Sequence, residues 1–143
     1  MTAFIDTSVL VALLNEGDLF HEWSVAEVEK CKISGPAIVC DLVYCETSVA
    51  MRTKDELDKA IAYWGLERIA ESDLALFKAG KAYNQYRTIN RGPKLGVLPD
   101  FLIGAVADDF DAPLITTNPK DFVSYFPNLE LIRPSKPTPV SSP

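Results

Sequence analysis

The sequence predicts an α/β fold with a mostly parallel central sheet flanked by helices. Short apolar segments alternate along the chain with longer segments of helical periodicity. The 143 residues match the size of one domain, and 48% hydrophobic with 24% charged residues is typical of a folded globular protein. We therefore expect one domain over residues 1–133. The Pro/Ser-rich tail at 134–143 has too few apolar residues to form a core, and we expect it to be disordered.

The predicted elements follow from hydrophobic periodicity and from capping and turn residues. Four apolar segments are predicted to be strands, at residues 2–5, 37–40, 113–117 and 129–132. Helical patterns occupy residues 9–14, 20–32, 42–51, 56–64, 72–86 and 99–107, and a turn at 118–122 enters a short helix. Residues 87–98 contain Gly92, Pro93 and Gly96 and are predicted to form a loop.

Several classes of protein are excluded by composition. The longest uninterrupted apolar run, residues 9–14, is far shorter than the ~20 residues of a membrane span, and the N-terminal residues lack the basic start of an export signal. We therefore expect a cytoplasmic protein that does not contact the membrane. Three cysteines and one histidine, without zinc-ligand spacing, favour neither a disulfide framework nor a zinc module. The cysteines are interpreted as small core residues.

A formal net charge of −6 opposes broad electrostatic attachment to nucleic acid. Any contact with a phosphate backbone must therefore be local or bridged by a metal ion. An acidic excess is most often just a soluble surface, so the positions of the acids decide their meaning.

Three acids lie where a parallel sheet binds ligands, outside the carboxyl ends of its strands, and a fourth begins a neighbouring helix. Asp6 ends the first strand, Glu46 lies in the helix after the second, and Asp121 follows the strand that ends at Thr117. Asp100 begins the apolar helix before that strand. Four neighbouring carboxylates repel each other unless a cation neutralises them, and hard oxygen ligands select Mg²⁺ or Mn²⁺.

Each acid also has an ordinary structural explanation. Asp6 and Asp100 stand at helix starts, where the helix dipole and free backbone N–H groups favour carboxylates. Glu46 can belong to a solvated helix face, and Asp121 can cap a short helix. Taken singly, none of the four identifies a site.

The acids lie within short motifs whose order and spacing are specific. These are FIDTSVL at residues 4–10, the helix containing Glu46, LPDFLIGAVA at 98–107 and LITTNPKDF at 114–122. Together they resemble the motifs of PIN-domain ribonucleases, most closely the VapC-type toxins of toxin–antitoxin pairs. The resemblance covers residues 1–133.

The resemblance implies a metal-dependent endoribonuclease. It implies an acidic pocket in which Asp6, Glu46, Asp100 and Asp121 bind Mg²⁺ or Mn²⁺ and cleave RNA, and it implies a homodimer and a cognate antitoxin. A cation at such a site would activate water for in-line attack on a phosphodiester. The sequence alone does not decide between one metal ion and two.

The motif around Asn118 departs from part of the family. Some members have aspartate there, whereas others have asparagine with the acid three residues later, as Asp121 is here. If a helix begins at Pro119, Asn118 is its N-cap and Asp121 lies in its first turn. We then expect Asp121 to act on the metal side and Asn118 to orient its neighbours.

Polar and basic residues near these motifs are candidates for supporting roles. Hydrogen bonds to the carboxylates or to metal-bound water are predicted for Thr7, Ser8, Thr117 and Asn118, with capping and turn roles equally open. Candidates for phosphate contacts are Arg52, Lys54, Arg87, Arg91 and Lys94, but for each one taken singly a solvated helix end or loop is the favoured interpretation. Base stacking is one hypothesis for His21, Trp23, Tyr83 and Tyr86, but packing or an interface role is the favoured interpretation.

Three other functions compete with the nuclease. In a receiver-like signalling domain, Asp41 would accept phosphate and Asp6 would bind metal, with Thr116 and Lys120 responding, but Glu46 and Asp100 would have no role. A haloacid-dehalogenase-like phosphatase needs aspartate two residues after Asp6, where Ser8 stands. A catalytically silent interaction module is the third alternative.

Overall fold

The computed structural model describes residues 2–90 and 95–135, which form a five-stranded, all-parallel sheet with helices packed around it. The strands are β1 (Ala3–Ile5), β2 (Ala37–Cys40), β3 (Glu67–Ile69), β4 (Leu114–Ile115) and β5 (Leu131–Ile132). The helices are α1 (Thr7–Leu14), α2 (His21–Ser34), α3 (Asp41–Ser48), α4 (Lys54–Tyr63), α5 (Asp73–Asn90), α6 (Leu98–Asp109) and α7 (Lys120–Tyr125). A 3₁₀ turn, Leu95–Val97, precedes α6. The predicted α/β class is confirmed.

The strand order β3-β2-β1-β4-β5 places β1 at the centre of the sheet. Phe4 is in register with Ile38 of β2 on one side and with Leu114 of β4 on the other. Since all pairs are parallel, the carboxyl ends of β1, β2 and β4 meet at one edge. Asp6, Asp41 and Thr116 are the residues that directly follow these three strands.

One strand, β3, was not predicted from the sequence. Its segment Glu67–Ile69 is mostly exposed, unlike the fully buried β1, β2 and β4. It lies at the sheet edge and pairs only with β2 among the described strands. A short edge strand has no buried face, so it shows no apolar run.

The helix bounds differ from prediction mainly around residues 87–98. The predicted loop gives way to helix at both ends, because α5 continues to Asn90 and α6 begins at Leu98. Ser72 caps the start of α5, since its hydroxyl accepts the N–H of Ala75 at 3.1 Å. Arg91, Lys94 and the tail at 136–143 lie outside the described residues.

The core lies between the sheet and the helices on its faces. Its largest fully buried side chains include Phe4, Phe101, Phe122, Ile5, Leu10 and Leu114. Cys40 is buried and Cys31 half-buried as expected, but Cys45 is exposed, because it lies on the outer face of α3. No helix in the described part of the chain is both long and apolar enough to span a bilayer.

A close contact between α6 and α7 depends on Gly104. A Cβ built at this glycine would lie 2.9 Å from a ring carbon of Phe126 and 3.0 Å from one of Phe122. Both rings are buried. Only a residue without a side chain lets α7 pack this closely on α6.

Candidate active site

Asp6 is buried at the carboxyl end of the central strand and begins α1. Its side chain is 4% exposed, and its Oδ1 accepts the backbone N–H of Thr7 at 2.8 Å. This is an N-cap interaction, which satisfies one of the free donors at the start of a helix. Asp6 therefore does act as a helix cap, but capping accounts for only one of its two carboxylate oxygens.

The other oxygen of Asp6 accepts two hydroxyl groups. Ser8 Oγ donates to Oδ2 at 3.0 Å, and Thr116 Oγ1 donates to the same atom at 2.7 Å. Each hydroxyl in turn accepts a backbone N–H from the β4–α7 turn: Thr117 N–H bonds to Ser8 at 3.2 Å and Asn118 N–H bonds to Thr116 at 3.0 Å. The turn after β4 is thereby tied to the residue after β1.

Thr116 was not predicted as a partner of the acids. It is completely buried, and its hydroxyl makes the shorter of the two hydroxyl bonds to Asp6. A positional signal existed in the sequence, since Thr116 lies at the end of its strand as Asp6 does. Threonine is common in strands, however, so the residue type alone indicated no special role.

Burial raises the pKa of Asp6 above its ordinary value. Hydrogen bonds from Thr116, Ser8 and Thr7 act in the opposite direction, because they favour the ionised carboxylate. The charge of Glu46 adds to the upward shift. The hydroxyl groups thus support a negative charge that burial and a neighbouring acid oppose.

Glu46 is half-buried on α3 and is linked to α1 through Thr7. The Thr7 hydroxyl donates to Glu46 Oε1 at 2.7 Å, across 39 residues of chain. Thr7 therefore contacts two acids, giving its backbone N–H to Asp6 and its side chain to Glu46.

The charges of the other three acids all act on Asp100. Its pKa is raised to about 7, first by burial and then by the charges of Asp6, Asp121 and Glu46. Mutual repulsion of this kind requires the four side chains to lie in one neighbourhood. The structure therefore brings together the four acids that the sequence singled out.

Asp121 lies in the first turn of α7 as predicted, but the N-cap prediction for Asn118 is wrong. The helix begins at Lys120, and its N-cap position is taken by Pro119, which has no side-chain oxygen to offer. Asn118 instead lies in the turn, where its backbone N–H bonds to Thr116. Because this bond keeps residue 118 in the turn, the helix starts later than predicted, at Lys120.

The predicted partners Thr7 and Ser8 bond to carboxylates through their hydroxyl groups, whereas Thr117 and Asn118 reach the site through their backbone N–H groups. The turn therefore contributes main-chain donors at two positions where side-chain contacts were expected.

The donor chemistry of the site suits a hard divalent cation, although the side chains are not closed around one. Within residues 2–90 and 95–135, no group of three or more Asp, Glu, His or Cys is placed to hold a metal ion. The ion pairs in this part of the chain are all formed by acids other than the four of the candidate site. The four carboxylates are close enough to raise a pKa and have no cationic side chain pairing with them in this part of the chain.

Asp41, the phosphate acceptor of the receiver hypothesis, is paired with a cation. Arg68 Nε donates to its Oδ1 at 2.7 Å, and the same guanidinium lies 3.9 Å above the ring centroid of Tyr44. The Tyr44 hydroxyl donates to Asp58, which also pairs with Lys54. We call Asp41, Tyr44, Lys54, Asp58 and Arg68 the paired cluster.

The basic residues predicted for phosphate contact lie on the surface. Arg52 and Arg87 are exposed, whereas Lys54 is engaged by Asp58. The guanidinium of Arg87 lies 6.0 Å from the ring centroid of Tyr83. Arg52 and Arg87 are therefore free of ion pairs with acids in the described residues.

The favoured packing roles of the aromatic residues and His21 agree with the structure. His21 Nδ1 lies 2.7 Å from the Ala12 carbonyl oxygen and joins α2 to α1. Trp23, Tyr83 and Tyr86 pack against the core, and Tyr86 contacts the rings of Phe101 and Tyr125.

Comparison with solved structures gives the same architecture at low sequence identity. The chain is similar to VapBC2 from Rickettsia felis bound to a promoter DNA fragment, with a TM-score of 0.71, 20% identity and coverage of 93% of this chain and 98% of that one. VapBC-1 from nontypeable Haemophilus influenzae gives 0.67 and 18%, with coverage of 93% and 98%. VapC20 from Mycobacterium tuberculosis, a Sarcin–Ricin loop cleaving toxin, gives 0.57 and 15%, with coverage of 85% and 94%.

No curated protein sequence matches the chain. The family model of the PIN domain matches residues 3–125, which span every carboxylate of the candidate site and all but the last strand of the sheet. The chain therefore belongs to the PIN domain family.

Proposed function

We propose that this PIN domain is a divalent-metal-dependent endoribonuclease. Its cation is Mg²⁺ or Mn²⁺, and Asp6, Glu46, Asp100 and Asp121 hold it. The observation that carries the proposal is the gathering of four carboxylates without a cationic partner among the described residues, and burial together with the charges of the other three acids raises the pKa of Asp100 to about 7. A fold gains nothing from gathering such charges unless a cation compensates for them.

The residues of the site divide into acids and the groups that hold them. The charges of Asp6 and Glu46 act on Asp100, while Thr7, Ser8 and Thr116 hold Asp6 and Glu46 by hydrogen bonds. A divalent cation bound there would supply Lewis-acid activation of water and compensate negative charge on the phosphate oxygens. In the hydrolysis, the oxygen of a water molecule forms a new bond to phosphorus as the bond between phosphorus and the leaving ribose oxygen breaks. The water loses one proton, and the leaving oxygen gains one. The carboxylates orient and do not attack.

RNA is the substrate that the comparisons favour. VapC20 is a Sarcin–Ricin loop cleaving toxin, and it shares this fold. Because the acidic surface opposes broad attachment, we assign the phosphate contacts to exposed basic residues such as Arg52 and Arg87. Single-stranded loops are the RNA elements that such local contacts recognise best.

We also propose that the nuclease is a cytoplasmic homodimeric toxin inhibited by a cognate antitoxin. The similar VapBC structures from Rickettsia felis and Haemophilus influenzae support this proposal. Induced expression of the chain alone is expected to arrest growth, and an Asp6→Asn variant is expected to be harmless. Harmless expression of verified wild-type protein in several hosts, with no copurifying partner from the native source, would contradict the toxin proposal.

A cleavage assay tests the enzymatic proposal directly. Purified protein is incubated with structured RNA in Mn²⁺, in Mg²⁺ and in EDTA, and Asp6→Asn purified in parallel controls for contaminating nuclease. Cleavage products are expected only for wild type with metal. Equal product from wild type and Asp6→Asn, or none from either, would leave the silent interaction module as the better explanation.

A further inference from the structure

The Asp6 carboxylate has four lone-pair positions, and three of them are already used. An ionised carboxylate only accepts hydrogen bonds, about two at each oxygen. Oδ1 accepts one, from the Thr7 N–H, whereas Oδ2 accepts two, from Ser8 and Thr116. The position left over is on Oδ1.

The direction of the two hydroxyl bonds is fixed by the backbone of the β4–α7 turn. Thr116 Oγ1 accepts the Asn118 N–H, and Ser8 Oγ accepts the Thr117 N–H. Each hydroxyl therefore has its own hydrogen available, and Asp6 Oδ2 is the acceptor at 2.7 Å and 3.0 Å. Two parallel relays, each running from a backbone N–H through a hydroxyl, end on the same oxygen atom.

We infer that Thr116 is a positioning residue that, together with Ser8, orients the Asp6 carboxylate so that its free acceptor position is on Oδ1. The inference rests on the proposed function and deepens it, since it names the residue that orients the central ligand. With both acceptor positions of Oδ2 occupied by hydroxyl groups, Oδ1 is the Asp6 oxygen that would be available to a cation. The same bonds hold the β4–α7 turn, and with it Asp121 on α7, against the residue that follows β1.

Binding of Mn²⁺ alone, measured by isothermal titration calorimetry, tests this role without relying on catalysis. Thr116→Val keeps the shape of the side chain and removes the hydroxyl. We expect it to weaken Mn²⁺ binding about tenfold, the lower end of the effect of losing a partner that orients a ligand. Thr116→Ser keeps the hydroxyl and is expected to bind Mn²⁺ within about twofold of wild type. Ser8→Ala removes the other relay and is expected to weaken binding as well.

Thr47→Val is a matched control. Thr47 is also completely buried, and its hydroxyl also donates at 2.7 Å, but to the backbone carbonyl of Val43 instead of a carboxylate. It is expected to lose stability comparably and to keep wild-type Mn²⁺ affinity. Circular dichroism confirms that each variant is folded before the titration.

The outcomes separate the inference from the proposed function. Wild-type Mn²⁺ affinity in both Thr116→Val and Ser8→Ala, in protein that still cleaves RNA, overturns the inference and leaves the nuclease proposal standing. Equal weakening by Thr47→Val, or failure of folded Thr116→Ser to retain affinity, assigns Thr116 a purely structural role and also overturns it. A wild-type protein that binds neither Mn²⁺ nor Mg²⁺ refutes the metal-dependent function and the inference with it.

Discussion

Two aspartates directly follow neighbouring strands of the sheet, yet their surroundings are opposite. Asp41, after β2, pairs with Arg68 and belongs to the paired cluster. Asp6, after β1, is buried and receives hydrogen bonds only from hydroxyl groups and a backbone N–H among the described residues. Topology alone therefore does not make a site at the edge of a parallel sheet.

The comparison teaches how charge compensation distinguishes a structural acid from a functional one. Arg68 supplies a cation to Asp41 within the fold, so the charge of that acid is already compensated. Hydroxyl groups orient Asp6 without neutralising it, and the charge remains for a mobile cation. The predictions that follow test this contrast.

Removing charge from the acidic site should have the largest effect. Asp100→Asn preserves shape and removes one carboxylate, so we expect cleavage of RNA to fall roughly 100-fold or more, the scale of losing one strong electrostatic contact in a transition state. Asp41→Asn is the matched control from the paired cluster and should remain within about threefold of wild type. Similar losses in both variants, measured as initial rates in Mn²⁺, would erase the distinction between the two aspartates.

Metal should stabilise the fold through Asp6 and not through Asp41. An ion that binds only the native state adds about 2.7 kcal/mol to the free energy of unfolding at a hundredfold excess over its dissociation constant. Thermal unfolding followed with increasing Mn²⁺ should show a rising Tm in wild type and Asp41→Asn, and little rise in Asp6→Asn. A Tm that does not change in wild type at millimolar Mn²⁺ would argue against a cation at the acids.

Asp121 should matter more than Asn118, because only Asp121 brings a full charge. At limiting Mn²⁺ we expect Asp121→Asn to reduce cleavage about tenfold and Asn118→Ala to reduce it less, since the Asn118 contact to Thr116 uses its backbone N–H. Added Mn²⁺ should partly restore Asp121→Asn. Full activity of that variant across a Mn²⁺ titration would leave a site of three carboxylates.

The raised pKa of Asp100 predicts a pH dependence of stability in the metal-free protein. Its pKa is about 7 in the folded protein against 3.8 for an ordinary aspartate, so between pH 4 and 7 the folded state binds more protons than the unfolded state. The stabilising contribution is fully present below pH 4 and is lost as pH rises through 7. Because the carboxyl is partly exposed, we expect Asp100→Asn to be about 1–2 kcal/mol more stable than wild type at pH 8 in EDTA.

Urea unfolding of both proteins at pH 5 and pH 8 measures this difference. The gap between Asp100→Asn and wild type should widen at the higher pH and close when Mn²⁺ is added. A gap independent of pH would mean that the substitution acts through packing and not through charge.

The smallest effect is expected in the paired cluster. Arg68→Gln breaks the pair with Asp41, whose two side chains are 44% and 42% exposed. Exposed pairs contribute about 0.2–1 kcal/mol, so we expect a loss of about 0.5 kcal/mol in urea unfolding and unchanged cleavage. A loss of activity in this variant would link the paired cluster to the site.

Sequence reasoning located the acids because their chemistry depends on strand ends, which apolar runs such as residues 37–40 mark clearly. It missed β3 because an exposed edge strand leaves no hydrophobic pattern. It misplaced the start of α7, where the N–H of Asn118 bonds to the Thr116 hydroxyl, and it missed the bond from that hydroxyl to Asp6. Bonds across 110 residues leave no local trace in a sequence.

The close packing of α6 and α7 at Gly104 limits how far Asp100 and Asp121 can lie from each other. Asp100 lies one turn before Gly104 on α6, and Asp121 precedes Phe122, whose ring touches that glycine's empty side. A single methyl group placed there would act as a wedge between the helices and move one acid relative to the other. The distance between these two charged groups therefore depends on a glycine, a residue that carries no charge and no side chain.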